Sequence, residues 1–291
     1  MTTTTRTALP ALPEARTSRT NRTRSGDGVT FARVVVAEWA KFTSLRSTTW
    51  TLVATVVAMV GVSVLAAWGT TIDAVDAGTG PMNLAQFLGA GYQLGQLSVA
   101  VLGVLTITGE YSTGMIRSTF AAVPRRVPVL GAKALVLAGV VALTSLVSLA
   151  LSYLATMPFH DALGARLDLG DPETLRLTLG VPLYLVAISL LAFGVGVLVR
   201  HSAGALTAVI ALLLVVENVL MLIPLRVIEL ISPFLPSTAG RRLLFDQETL
   251  TAVDAATSGA HLTPWQGYGV LLAWVAGLLV LGAWLLRRRD A

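Results

Sequence analysis

The sequence predicts an all-α integral membrane protein with six transmembrane helices and both termini in the cytoplasm. Composition supports this fold class, because 54% of the 291 residues are hydrophobic and only 13% are charged. The mean hydropathy is +0.74. Water-soluble domains average about 25% charged residues, so that class is excluded. The apolar residues also gather into blocks of about 20, each long enough to cross a hydrocarbon core of roughly 30 Å.

The first 30 residues are predicted to form a disordered basic tail. They contain five arginines among many threonines and have no aromatic residue. Such a segment cannot bury enough apolar surface to offset the entropy of ordering. No apolar run of signal-peptide length follows the arginines, so a secretory signal is not expected. Residues 31–291 are predicted to form one transmembrane domain.

An amphipathic helix is predicted over residues 33–47, lying in the membrane surface. Its apolar residues recur at helical spacing, with charged residues on or beside the other face. The short connection to the first span favours a mechanical role, although a juxtamembrane helix without a role would show the same pattern. The candidate residues of this helix are Glu38, Trp39, Lys41, Phe42 and Arg46.

Six spans are predicted, at residues 48–69, 84–108, 127–157, 175–199, 203–225 and 265–286. The first is bounded by Trp50 and Trp68, whose rings would lie roughly 27 Å apart along a helix. That separation suits the two interfacial belts where tryptophan is enriched. The third block is longer than a crossing requires, so it is expected to tilt or to begin outside the bilayer.

The basic residues predict the orientation of these spans. With the N-terminus inside, 16 of the 21 Lys and Arg residues lie on the cytoplasmic side, and five face ten acidic residues outside. The positive-inside rule therefore places both termini in the cytoplasm and the chain in the cell membrane as a multi-pass protein. The net charge of +5 follows from this asymmetry. No basic stripe with interleaved aromatics indicates a nucleic-acid partner.

The second span carries polar and small residues at spacings that share one helical face. Such a face normally turns toward protein or water, so it is predicted either to pack against a neighbouring helix or to line a substrate path. Its members are Gln86, Gly89, Gln93, Gln96, Ala100 and Gly103.

Glu217, followed by Asn218, is an acid inside the fifth predicted span. A carboxylate at the centre of a lone helix costs roughly 2.5 kcal/mol or more unless it is protonated, paired or hydrated. Glu217 is therefore interpreted either as a functional acid or as a structurally paired one. The segment that follows, 226–262, contains an apolar run at 230–236, which is too short to cross. We expect it to lie in the interface or to re-enter the bilayer.

Motifs of known enzymes are missing from the sequence. There is no GxxxxGK[ST] phosphate loop, no HExxH and no GxSxG, and the chain has no cysteine and three scattered histidines. No catalytic residue, metal site or bound cofactor is therefore expected. An intramembrane hydrolase would depend on Glu217, which has no histidine or second acid near it in sequence.

The connection between the second and third spans is predicted to contain a short helix from Ser112 to Ala122. Met115, Ile116, Thr119 and Phe120 give it an apolar stripe. A short exposed helix with an apolar face is suited to bind a protein partner. The alternative is a loop whose positive charge only fixes the topology.

Two runs of the sequence resemble the membrane subunit of ABC-2 type ABC transporters in the actinobacterial style. The first is AEWAKFTSLRST at 37–48; the second is GEYSTG at 109–114, continuing to PRR at 124–126 and to Lys133. With the six predicted spans, the resemblance covers nearly the whole chain after residue 30. It implies that 33–47 is a connecting helix and that the segment from 110 rests on an ATPase. The residues of this coupling segment are Glu110, Tyr111, Met115, Ile116, Arg117, Phe120, Pro124, Arg125 and Arg126.

The resemblance also implies a function. Two permease subunits, identical or closely related, would pair with two separate nucleotide-binding subunits that hold ATP and Mg, since this chain has no nucleotide-binding domain. The predicted function is the permease of an ATP-driven exporter that works by alternating access. An ion-coupled secondary transporter is the alternative, although Glu217 is the one intramembrane acid it could use and no inverted repeat is evident. A membrane assembly protein is a third class, and copurification with an ATPase would separate the three.

Overall fold

The computed structural model describes residues 30–77, 84–122, 126–164, 167–221, 223, 225–257 and 259–288. This part of the chain is helical and contains no strand. Its α-helices are, in chain order, α1 (Phe31–Ser44), α2 (Arg46–Ala77), α3 (Leu84–Gly89), α4 (Tyr92–Ser112), α5 (Met115–Ala122), α6 (Arg126–Leu163), α7 (Pro172–Val199), α8 (Ser202–Ile210), α9 (Glu217–Met221), α10 (Arg226–Ile231), α11 (Pro236–Arg241), α12 (Gln247–Ala255) and α13 (Pro264–Arg288).

Six helical segments of the described chain are long and apolar enough to cross a membrane. They confirm the all-α class and the prediction of six long apolar helices, and they indicate a multi-pass membrane protein. α3 and α4 together make the second segment, and α8 and α9 with the turn between them make the fifth. The segments are Arg46–Thr71, Leu84–Ser112, Val127–Ala162, Pro172–Val199, Ser202–Leu220 and Pro264–Arg288.

The predicted connecting helix is shorter than expected. α1 ends at Ser44, and Leu45 has an extended backbone (φ −88°, ψ 114°). Arg46 therefore begins α2 and does not belong to α1.

The fifth span is also shorter than predicted. Its helix ends at Met221, four residues before the predicted end at residue 225. Leu225 is again extended, as the N-cap of α10.

α7 is the central helix of the bundle. In its most apolar window 72% of the residues are buried, against 22% in the first, fifth and sixth spans. It packs against α4, α6 and α13. Glycines allow the close approach: a Cβ on Gly103 would lie 2.3 Å from the carbonyl oxygen of Ser189. Small residues at such crossings let helix backbones come together in a bilayer.

The second span is interrupted at Ala90 and Gly91. Gly91 lies against the backbone of α2, where a Cβ would be 2.4 Å from the Cα atom of Met59. The interruption places Gln86 on α3 and the other members of the predicted polar face from Gln93 to Gly103 on α4, and burial shows that the set does not form one face. Gln86 and Gln93 are exposed, whereas Gln96, Ala100 and Gly103 are buried.

The fifth span contains a π-helical turn at Ala211–Val216, directly before Glu217. A π turn adds a residue relative to the α-helix, so it changes the direction in which the next side chains point. Leu214, Val215 and Val216 are exposed, yet Glu217 is fully buried. The turn thus directs a carboxylate into the bundle from a helix whose other residues mostly face outward.

The segment after the fifth span packs into the bundle. α11 contacts α13 and α7, and Gly240 is close to the side chains of Tyr184 and Leu271. Gly267 of α13 approaches the carbonyl oxygen of Ala239 so closely that a Cβ there would lie 2.3 Å from it. The apolar run at 230–236 is itself divided, because Ser232, Pro233 and Pro236 are buried whereas Leu230, Ile231 and Phe234 are exposed.

Candidate functional site

Two buried polar networks lie near the two ends of α4. The α1-end network consists of Glu38, Lys41, Glu110, Thr119 and Lys133. The Glu217 network consists of Gln96, Tyr184, Glu217, Ser237 and Thr238. Both contain residues that the sequence indicated, together with partners that it did not.

Lys133 is the centre of the α1-end network. It lies on α6, is only 3% exposed, and its Nζ donates to Oε2 of Glu38 at 2.5 Å and to Oε1 of Glu110 at 2.7 Å. Glu38 belongs to α1 and Glu110 to the last turns of α4, and both are buried. One ammonium group therefore joins three helices that are far apart in sequence.

Lys41 adds a fourth element to this network. Its Nζ donates to Glu38 at 2.9 Å, to Glu110 at 3.2 Å and to the hydroxyl oxygen of Thr119 on α5 at 3.1 Å. Partial burial lowers the pKa of Lys41, but its bonds and charge interactions with Glu38 and Glu110 outweigh this and raise that pKa above 10.5. Lys41 is thus held as an ammonium at neutral pH.

The α1-end network contains two acids and two bases, so its formal charge is zero. Buried charges need such mutual pairing, because removal of one partner leaves an uncompensated charge in a poorly solvated site. Both lysines bind Oε1 of Glu110, and its Oε2 is buried without a hydrogen-bond partner among the described residues.

The coupling segment differs from the predicted helix 112–122. Gly114 has a left-handed backbone (φ 72°), which ends α4, and α5 begins only at Met115. Left-handed residues after a helix are usually glycine because a Cβ is strained there. α5 is therefore a separate element that can be oriented independently of α4.

The apolar stripe of α5 is divided between core and surface. Ile116 is 3% exposed and belongs to the hydrophobic core, which corrects its place in the exposed apolar stripe that the sequence predicts. Met115 is 41% exposed and remains available. Residues 123–125, with Pro124 and Arg125, lie outside the described residues, and so do the side chains of Arg117, Phe120 and Arg126.

The remaining predicted residues of this end lie around the network. Tyr111 on α4 is half-buried, and the guanidinium carbon of Arg200 lies 5.3 Å from the centre of its ring. Arg200 follows α7, so this contact joins α4 to the central helix. On α1, Phe42 is buried in the core, whereas Trp39 is exposed.

In the Glu217 network, the carboxylate accepts three hydrogen bonds from the start of α11. Its Oε1 accepts from the backbone N–H of Ser237 at 2.8 Å, and its Oε2 accepts from the N–H and the hydroxyl of Thr238 at 2.6 and 2.8 Å. The first N–H groups of a helix lack partners within it, and the helix dipole favours a negative charge there. Glu217 of the fifth span therefore caps the N-terminus of α11.

Tyr184 connects this cap to the second span. Its hydroxyl lies 2.6 Å from Oε1 of Gln96 and 3.2 Å from the hydroxyl of Ser237. The sequence indicated Gln96 and Glu217 separately. In the structure they are connected through Tyr184 and Ser237, which the sequence did not indicate. Tyr184 sits in an apolar run, and the signal that points to it is its hydroxyl, which needs a partner when buried.

Three other predicted polar residues do not join the network. Gln86 donates to Asp246 at 2.6 Å near the surface, and Gln93 is exposed. Asn218 is exposed and donates to the carbonyl oxygen of Leu214 on its own helix.

Within the described residues, no three or more His, Asp or Glu side chains are grouped in a way that could hold a metal ion. No family model matches the chain, and no curated protein matches it. The family resemblance is therefore carried by the two sequence runs alone.

Proposed function

We propose that the chain is the permease subunit of an ATP-driven exporter of the ABC-2 type. In this proposal two permease subunits, identical or closely related, work by alternating access with two separate nucleotide-binding subunits that hold ATP and Mg. The chain lies in the cell membrane with both termini in the cytoplasm and α1 in the inner membrane surface. The α1 end of the bundle is then the cytoplasmic end.

The observation that carries this proposal is the α1-end network. A coupling element must be exposed to the ATPase and also fixed to the helices that move. α5 meets both conditions, since Met115 is exposed, Ile116 is in the core, and Thr119 is bound to Lys41. A displacement of α5 is therefore transmitted through Lys41 and Lys133 to α1, α4 and α6.

α4 provides the path to the other end. Glu110 and Gln96 are 14 residues apart on this helix, which corresponds to roughly 21 Å and nearly the same helical face. Movement of α4 at the cytoplasmic end shifts Gln96 relative to Tyr184. In the proposed cycle this shift opens the Glu217 network and frees α11 from the outer end of the bundle.

The geometry disfavours an ion-coupled carrier. Such a carrier would use Glu217 to bind and release a proton or cation. Both oxygens of Glu217 are already filled by three donors from Ser237 and Thr238. A membrane assembly protein would not require a network that joins an exposed cytoplasmic helix to three other helices.

The proposal is tested by the substitution Met115→Glu, with copurified ATPase per permease and substrate-stimulated hydrolysis in proteoliposomes as the measurements. Exposed apolar anchors at an interface centre typically contribute about 2 kcal/mol or more, roughly thirtyfold in affinity. We expect Met115→Glu to weaken ATPase association and to leave membrane insertion unchanged. Leu169→Glu is the matched control, because Leu169 is also an exposed apolar residue, at 52% against 41% for Met115, but lies at the opposite end. Normal association by Met115→Glu would contradict the coupling role of α5.

A further inference from the structure

A cavity of about 390 Å³ opens beside the α1-end network, between α1 and α2 on one side and α4 and α5 on the other. Its buried wall contains Glu38, Phe42, Thr48, Glu110 and Lys133. The exposed lining residues, which include Ser44, Leu45, Ser112 and Thr113, form the rim. The volume falls in the range of about 300–1,000 Å³ that small-molecule sites occupy.

Five hydroxyl groups that line this cavity offer acceptors. The hydroxyl groups of Thr51 and Thr106 each donate to a carbonyl oxygen of their own helix, as do those of Ser44, Ser112 and Thr113. A hydroxyl has a single proton, so only its lone pairs are left for a ligand. The ammonium of Lys41 has three donors, and all three are used within the network, while Lys133 donates to Glu38 and Glu110.

Glu110 gives a second, independent indication. It lines the cavity and is 7% exposed, yet its Oε2 has no hydrogen-bond partner in the described structure. A buried acceptor without a partner is destabilising, and a ligand that donates a hydrogen bond would relieve this. The remaining wall is apolar, formed by Phe42, Leu102 and Leu105 with Leu45 and Met115.

We propose that this cavity binds an amphiphile with a primary ammonium head, taken from the lipid leaflet that surrounds the α1 end. The ammonium would donate to the lone pairs of Thr51 and Thr106 and to Oε2 of Glu110. The methylenes next to the ammonium would lie along Leu102 and Leu105. A quaternary ammonium has the same charge but no N–H donor, so the site distinguishes the two head groups. Binding requires no partner subunit.

The test uses the full chain extracted from vesicles that contain equal amounts of dioleoylphosphatidylethanolamine and dioleoylphosphatidylcholine. Native mass spectrometry counts the lipids that remain bound. We expect the ethanolamine lipid to be enriched, and the pair Thr51→Val with Thr106→Val to reduce this enrichment at least about fivefold, since hydrogen bonds to charged groups are among the stronger ones. Equal retention of the two lipids by the unmodified chain would overturn the proposal.

Two further variants separate binding from folding. Thr144→Val removes a hydroxyl that also donates to its own helix but lies outside the cavity, so enrichment should be unchanged. Leu105→Trp fills the cavity without altering its polar groups and should abolish enrichment. If Leu105→Trp retains the lipid as the unmodified chain does, the site is rejected.

Soluble amphiphiles distinguish the source of the ammonium group. Displacement of the lipid by dodecylammonium, but not by dodecyltrimethylammonium, would support a site open to free amphiphiles as well as lipids. Retention of the lipid against both would support a site that takes only the lipid. Equal competition by the two compounds would overturn the proposal, because recognition would then depend on charge and tail alone.

Discussion

The side chain of Lys133 connects three helices of this fold, α1, α4 and α6. Its ammonium lies between Glu38 and Glu110, and it is almost fully buried. A cation inside a span is unfavourable unless it is paired in this way. Without Lys133 the network would keep two acids and only the partly exposed Lys41.

Lys133→Met should therefore lower the stability of the chain by about 3–5 kcal/mol, as expected when one partner of a buried ion pair is removed. Lys41→Met should have a smaller effect, because the Lys41 side chain is 33% exposed and water can replace part of its interaction. Thermal unfolding in detergent measures both. Combining Lys133→Met with Glu38→Gln and Glu110→Gln should restore part of the loss. Equal losses for the two lysine variants would argue against a central role for Lys133.

Glu217 is the second residue whose surroundings explain its presence in a span. Glu217→Gln keeps the size of the side chain but places an NH₂ group against the N–H of either Ser237 or Thr238. We expect a loss of about 1–3 kcal/mol, which is the typical effect of leaving a buried donor unsatisfied. Thermal unfolding measures this loss, and transport should fall with it. If stability and transport were both unchanged, α11 would not depend on this cap.

At the scale of elements, the π turn at Ala211–Val216 decides where Glu217 points. Deleting Val215, an exposed residue within the turn, should convert it to an α-helix and rotate Glu217 by roughly 100° about the helix axis. The deletion should then destabilise the chain as much as Glu217→Ala does.

A double-mutant cycle makes this prediction specific. If the deletion acts by turning Glu217 away, adding Glu217→Ala to it should cause no further loss of stability, because residues of one network are not additive. Thermal unfolding of the two single variants and the double variant provides the cycle. Fully additive losses would mean that the π turn and Glu217 act independently.

The sequence predicts the elements of this fold better than their connections. Apolar blocks locate the six spans because helix length and hydropathy are local properties. The break at Gly91 depends on contact with Met59 in another helix, and the burial of Ile116 depends on packing against the core, so neither is visible in the periodicity. Glu38 and Lys133 are 95 residues apart, and only the folded bundle brings their charges together.

At the scale of the whole molecule, the bundle has one hydrogen-bonded polar network at each end, the α1-end network and the Glu217 network. α4 carries a member of each network, Glu110 and Gln96, and it packs along the buried central helix α7. Interfaces packed in this way tend to switch between discrete arrangements. The proposed cycle requires that ATP hydrolysis in the partner subunit moves α5 and thereby changes the state of the Glu217 network at the far end.

The most direct test of this coupling is the accessibility of Ser237→Cys in the complex with the ATPase. The chain has no native cysteine, and Ser237 is buried beside Glu217. Its backbone N–H, which binds Glu217, is kept in the variant. An impermeant maleimide should label this position slowly without ATP and several-fold faster during hydrolysis, and Lys133→Met should remove the difference. Labelling that is independent of ATP in an active complex would contradict the account.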